Sequence, residues 1–145
     1  MSEIVLDASL TLSWLLPDEA GPSTRTVQSD IRKAERVWVA GHWCLEVANA
    51  LCMAERRKRL DATGVAQAVA LFAKLPVTVD PETHERASAD TLVLARQHGL
   101  TTYDTAYLEV SLRRGASLAS LDSELRKTAR KLGVPLLPEE LSAES

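Results

Sequence analysis

The sequence predicts an α/β fold: one three-layer domain whose mostly parallel sheet of about five strands is flanked by helices on both faces. Three observations predict it. Short apolar runs at residues 4–6, 37–40 and 117–121 end at an acid or a glycine, the form taken by strands buried on both sides. Longer segments with apolar residues at helical spacing alternate with those runs. The 145 residues suit one core, and no repeat, low-complexity stretch or linker divides them. Residues 1–138 are therefore assigned to a single domain and 139–145 to a polar C-terminal tail.

In chain order, residues 4–6 form the first strand, which ends at Asp7. A short helix over 10–16 is stopped by Pro17, and a second covers about 22–34, with Ser23 and Thr24 near its start. Residues 37–40 make the second strand; Gly41 breaks it before a long helix over 42–59. Asp61 caps the next helix, which runs to about Lys74 with Val65, Ala68, Val69 and Phe72 at helical spacing. A brief strand at 77–79 precedes Asp80 and Pro81, and Thr83 opens a helix that reaches His98 and ends at Gly99. Thr101 or Thr102 begins another helix, up to Arg114. Residues 117–121 are a strand ending at Asp122, a basic helix runs to Leu132, and 134–137 form an edge strand between prolines.

Hydrophobic residues make up 46% and charged residues 26%, the balance of a soluble globular protein. No apolar run approaches the ~20 residues of a membrane span. The N-terminus is acidic and lacks the features of a signal peptide, so a cytoplasmic location is expected. Cys44 and Cys52 fall on one predicted helix roughly 12 Å apart, too far for a disulfide, and are expected to be buried thiols. No CxxC pair or histidine cluster offers a zinc site.

The net charge of −3 excludes a protein that binds nucleic acid by bulk charge alone. Basic residues are nonetheless clustered. A charged run on a helix is usually a solvated face. Arg56, Arg57, Arg59, Arg126 and Lys127 are the residues placed to touch RNA phosphates if the chain acts on RNA.

The acids carry more information. Ligands of open α/β sheets bind outside the carboxyl ends of the strands. Asp7 and Asp122 each follow a predicted strand directly, as does Asp80, although a helix N-cap explains any one of them equally well. Glu46 lies in HWCLEVANAL with Trp43, Asn49 and Ala50 three or four residues away, on an apolar or small-residue face where an unpaired carboxylate is costly. Asp104 stands in the first turn of its helix, where the macrodipole favours an acid. Its neighbours Tyr107, Leu108 and Ser111 form the inward side, whereas Glu109 falls outward and is expected to be solvated. Were Asp7, Glu46, Asp104 and Asp122 to converge, each pair at ~4 Å would repel by about 4 kcal/mol at an effective dielectric near 20. Hard oxygen ligands of this kind select Mg²⁺ or Mn²⁺, and the matching chemistry is phosphodiester hydrolysis.

With IVLDAS, HWCLEVANAL, LTTYDTAYLEVSLRRG and SLASLD followed by a basic helix, the sequence resembles a PIN domain of the VapC toxin group over nearly its whole length. The resemblance implies that Asp7, Glu46, Asp104 and Asp122 are the catalytic and metal-binding acids: the three aspartates hold the principal ion, and Glu46 contacts it through water or holds a second. Ser9, Asn49 and Ser120 match positions where such domains place a polar residue near the acids; threonine is commoner at the last. Asp80 has no counterpart as a ligand and is read as a cap before Pro81. The resemblance further implies Mg²⁺- or Mn²⁺-dependent RNA cleavage, a homodimer, and a VapB-like antitoxin that inserts a C-terminal segment, often with an arginine, into the acidic groove. Leu12, Trp14 and Leu15 are candidates for a docking groove.

Three other readings stay open. An RNA-processing nuclease without a toxin role and an inactive RNA- or protein-binding module share the fold. A haloacid-dehalogenase-type phosphatase also begins with a strand ending in Asp, but it requires an acid where this chain has Ser9 and a cap domain that 145 residues do not accommodate. No histidine is placed as a general base: His42 is nearest the acids, while His84 and His98 look peripheral.

Overall fold

The computed structural model describes residues 2–141. Its five strands are β1 (Glu3–Leu6), β2 (Arg36–Val39), β3 (Thr78–Val79), β4 (Ser117–Ala119) and β5 (Leu136–Leu137). They form one sheet in the order β3-β2-β1-β4-β5, and every pairing is parallel. In β1, Ile4 pairs with both Val37 and Ser117, and Ile4, Val5 and Leu6 are all buried, which explains the uninterrupted apolar run. The strand order reverses between β1 and β4. That crevice is where a doubly wound sheet presents its ligand site.

Eight helices cover this sheet among the described residues: α1 (Ala8–Leu15), α2 (Pro22–Lys33), α3 (Trp43–Arg56), α4 (Ala62–Phe72), α5 (Thr83–Arg86), α6 (Leu92–His98), α7 (Thr102–Arg114) and α8 (Ser123–Lys131). The caps foreseen for α4 and α7 form, with the Asp61 carboxylate accepting from the Gly64 amide and the Thr101 hydroxyl from that of Asp104. Gly99 and Gly115 end α6 and α7 in the left-handed region, at φ 67° and 63°.

The helices group around two hubs. On one side α1 packs against α2, α3 and α4; on the other, α7 packs against α6, α8, β1 and β4. Trp43 joins the first group: its ring stacks on Phe72 at 4.8 Å, and its Nε1 donates to Thr11 Oγ1 at 3.0 Å. Thr11 in turn donates to the Asp7 carbonyl at 2.7 Å, so α3 is fixed relative to the end of β1 through two hydrogen bonds.

Several expectations are corrected. The helix read over 83–98 breaks at Ala89 (φ −120°, ψ −107°), in a segment where Ser88, Asp90 and Thr91 compete weakly for helical structure. The last two strands are shorter than read, β4 ending at Ala119 and β5 covering Leu136 and Leu137, although the Leu118 amide still donates to the Pro135 carbonyl at 2.8 Å and the Ser120 amide to the Leu137 carbonyl at 3.1 Å. Cys44 and Cys52 are exposed, since α3 buries Trp43, Val47, Leu51 and Ala54 and the cysteines fall off that stripe. Leu12, Trp14 and Leu15 form no open groove: Leu15 is buried, the other two pack on the core, and Trp14 Nε1 donates to the Thr24 carbonyl at 2.8 Å. The start of the polar tail clasps α8 through the Glu139 carbonyl, and residues 142–145 lie outside the described residues. No helix among the described residues is long and apolar enough to cross a membrane.

Candidate active site

Asp7 and Asp122 leave the ends of β1 and β4, the two strands that flank the reversal in strand order. Both are also helix N-caps: Asp7 Oδ1 accepts from the Leu10 amide at 3.0 Å, and Asp122 Oδ1 from the Leu125 amide at 2.8 Å. Capping and site-building are therefore not alternatives here, since a cap uses one of the roughly four lone-pair positions that a carboxylate offers. The two strand exits are stitched together. Ser9 Oγ reaches both oxygens of Asp7 at 2.8 and 2.9 Å and accepts from the Leu121 amide at 2.9 Å. Ser120 Oγ accepts from the Asp122 amide at 3.1 Å and lies 3.5 Å from Ser9 Oγ.

Asp7 is only 3% exposed. Burial pushes its carboxyl up to about 7, against hydrogen bonds from Ser120, the Leu10 amide and Ser9, and the nearby charge of Glu46 raises it further. Asp104, on the first turn of α7, is also raised, by partial burial and then by the charges of Asp122 and Glu46. The four acids thus feel one another across β1, α3, α7 and the loop after β4. Among the described residues, no Lys or Arg forms an ion pair with any of them.

Glu46 reaches the rim from α3, partly exposed. Tyr107, buried on α7, donates its hydroxyl to Glu46 Oε1 at 2.8 Å, and His42 Nε2 lies 3.3 Å from the same oxygen. Burial, followed by the Glu46 charge, raises the Tyr107 phenol, which keeps it a donor. The His42 ring packs on Tyr107 with centroids 4.9 Å apart. The sequence put Tyr107 on the inward side of its helix and His42 nearest the acids, but neither was read as a partner of Glu46, which takes the approach of α7 to α3 to show.

The supporting and basic residues divide. Ser9 and Ser120 bracket Asp7, whereas Asn49 is exposed on α3 and bonds to none of the four acids among the described residues. Arg126 is not a phosphate contact. It is 5% exposed, and its guanidinium donates to the carbonyls of Ser120, Pro138 and Glu139. Arg59 is engaged by Asp18 and Glu19 at 2.8 and 2.7 Å. Lys127, Arg56 and Arg57 remain exposed, Lys127 about 7–8 Å along α8 from Asp122 at ~1.5 Å per residue.

Asp80 and Glu109 correct two further expectations. Asp80 caps nothing: it is buried and receives Arg113 Nη1 and Nη2 at 2.9 Å each, Arg114 Nη2 at 2.8 Å and Thr83 Oγ1 at 2.7 Å. Glu109 is 4% exposed and holds Arg113 Nε and Nη2 at 2.9 Å each. Arg114 also lies over the Trp38 ring, 3.5 Å from its centroid.

A divalent ion suits the first cluster by its chemistry, with four carboxylates, one of them deeply buried and in no ion pair with Lys or Arg among the described residues. No group of three or more His, Cys, Asp or Glu side chains among the described residues is set as a ready-made cage. Mg²⁺ needs none, since it takes one or two carboxylates and fills its shell with water and substrate phosphate.

Comparison with known proteins bears on the family and the fold. A family model described as the PIN domain matches residues 4–131. Ribonuclease VapC3 of Pyrobaculum aerophilum is 26% identical over 136 residues, covering 92% of this chain and 99% of that protein. The crystal structure of PAE2754 from Pyrobaculum aerophilum is 26% identical, with a TM-score of 0.63 over 86% of this chain and 77% of that one. VapBC2 from Rickettsia felis, solved bound to a DNA fragment from its promoter, has a TM-score of 0.63 over 92% of this chain and 96% of that one; at 10% identity it shows likeness of fold alone.

Proposed function

Because the chain belongs to the PIN domain family, we propose that it is a Mg²⁺- or Mn²⁺-dependent endoribonuclease, the toxin of a VapBC-type pair. One observation carries this reading: four carboxylates from separate elements lie within electrostatic reach of one another at the reversal in strand order, and among the described residues no Lys or Arg forms an ion pair with them. The relative named a ribonuclease, matched along nearly its full length, supports it.

Asp7, Asp104 and Asp122 would hold the principal ion, with Glu46 in contact directly or through water. When bound, the ion supplies an activated water for attack and offsets charge on the scissile phosphate. The chain's own residues do the rest. Ser9 and Ser120 orient the Asp7 carboxylate; Tyr107 holds Glu46 Oε1 and leaves Oε2 free to face the ion. Exposed Lys127, Arg56 and Arg57 would contact flanking phosphates of RNA.

A VapB-like antitoxin is the expected inhibitor, offering an arginine to acids that lack one; the likeness in fold to a VapBC pair supports such a partner. A homodimer would cover Leu92, Val93 and Leu112, which stand exposed on α6 and α7. The site is expected to work in the cytoplasm.

Incubating purified protein with a mixed tRNA, rRNA and mRNA pool in Mg²⁺, Mn²⁺ or EDTA, beside Asp7→Asn, tests the proposal. Discrete, EDTA-sensitive cuts absent from the variant are expected. Metal binding without cleavage would move the inactive-module reading ahead, and no metal binding would remove the four-acid site.

A further inference from the structure

Beside the acids the surface is unlike the rest of the rim. Leu45 and Tyr103 are 78% and 67% exposed, unusual for large apolar side chains, and they flank Glu46 and Asp104 in sequence and in space. A cavity of about 410 Å³ is lined by His42, Leu45, Glu46, Thr101, Tyr103 and Asp104. A second, of about 340 Å³, shares His42, Leu45 and Tyr103 with it, so the two form one continuous groove. The His42 and Tyr103 rings stand 6.0 Å apart, tilted at 46°, leaving an open aromatic face.

We infer that this groove is a nucleobase subsite: it receives the unpaired base next to the scissile phosphate and stacks it on Tyr103, with Leu45 closing the other side. The inference rests on the nuclease reading. It follows from two properties of the groove. Its walls carry no Lys or Arg and include the carboxylates of Glu46 and Asp104, so despite the His42 and His84 rings they favour an uncharged planar group over a phosphate. The same walls include Glu46 and Asp104, so whatever lies in the groove is covalently close to what lies over the acids. A nucleotide chain meets both conditions. Bases stacked within a duplex present no free face, so the substrate is unpaired RNA, a loop or a single strand.

The test uses a single-stranded RNA hexamer carrying 2-aminopurine, bound in Ca²⁺, beside a hexamer with an abasic site at that position. Saturable quenching of the fluorophore is expected, with binding tighter than to the abasic strand by on the order of 10-fold. Tyr103→Ala should abolish both the quenching and the preference, Leu45→Ala weaken them, and Tyr103→Phe retain them. In cleavage, Tyr103→Ala should raise KM about 10-fold and leave kcat nearly unchanged. Absence of quenching by the parent protein, equal affinity for the abasic strand, or full retention in Tyr103→Ala would each overturn the subsite. Unchanged RNA affinity in Tyr103→Ala with loss of a protein partner would assign the groove to a peptide and overturn it as well. Stacking by a parent protein that cuts no RNA with any metal would leave the subsite standing and remove the nuclease reading.

Discussion

Asp7 and Asp80 both follow parallel strands, both sit at the carboxyl rim of the sheet, and both are almost wholly buried. Only their surroundings differ. Burial raises Asp80, but Arg113, Thr83 and Arg114 outweigh it and hold the carboxyl well below the usual range. Asp7 receives hydroxyls and one amide, and burial prevails. The lesson is that an acid cluster completed by arginine is structural, whereas one without such a partner is a candidate for a cation from outside.

This contrast can be broken from either end. The largest expected effect is on catalysis: Asp7→Asn should lower RNA cleavage at least about 1000-fold, since metal-assisted charge stabilisation is worth several kcal/mol. Its thermal midpoint without metal should stay level or rise. Next comes Asp80→Ala, which strands two arginines and should cost about 3–5 kcal/mol in a urea titration, while the affinity for Mn²⁺ per folded molecule stays unchanged. Metal is the third lever: Mn²⁺ at 100 times its Kd should stabilise the parent by about 2.7 kcal/mol and leave Asp7→Asn where it was. Tyr107→Phe frees Glu46 Oε1 and should weaken Mn²⁺ binding about 10- to 100-fold by calorimetry, whereas a Tyr107 that only fills space would tolerate the change.

The smallest effect is one of pH, and its sign differs between the two acids. Folded Asp7 retains a proton that the unfolded chain releases near its ordinary value of 3.8, so without metal its contribution to stability falls as pH rises from about 4 to about 7. Folded Asp80 stays ionised after the unfolded chain has taken up its proton, so its contribution is present above about pH 4 and lost below it. The midpoint difference between Asp7→Asn and the parent should therefore grow from pH 4 to pH 7. A flat difference would mean that Asp7 is more solvated than its burial indicates.

The element order was legible because its signals are local: an apolar run, then an acid, then a helical stripe; the same signals bring the four acids forward as candidates. Asp80, Glu109 and Arg126 were not, because each is settled by partners that sequence does not bring together. Arg113 lies 33 residues from Asp80 in the chain, and the carbonyl of Glu139 lies 13 residues beyond Arg126. Periodicity placed Glu109 outward, and the structure closes Arg113 over it from one turn away. The α3 cysteines were the reverse case: the buried stripe of Trp43, Val47, Leu51 and Ala54 was readable and already left both thiols outside.

The hydrogen bond from the Leu121 amide to Ser9 spans 112 positions of the chain. The acids after β1 and β4 come into register only when that span closes, so the rim between the two strands cannot form until the chain has been made through Leu121. Under the proposed nuclease function, synthesis itself would delay the appearance of the activity, and an inhibitor would be needed only once the segment around Leu121 had emerged.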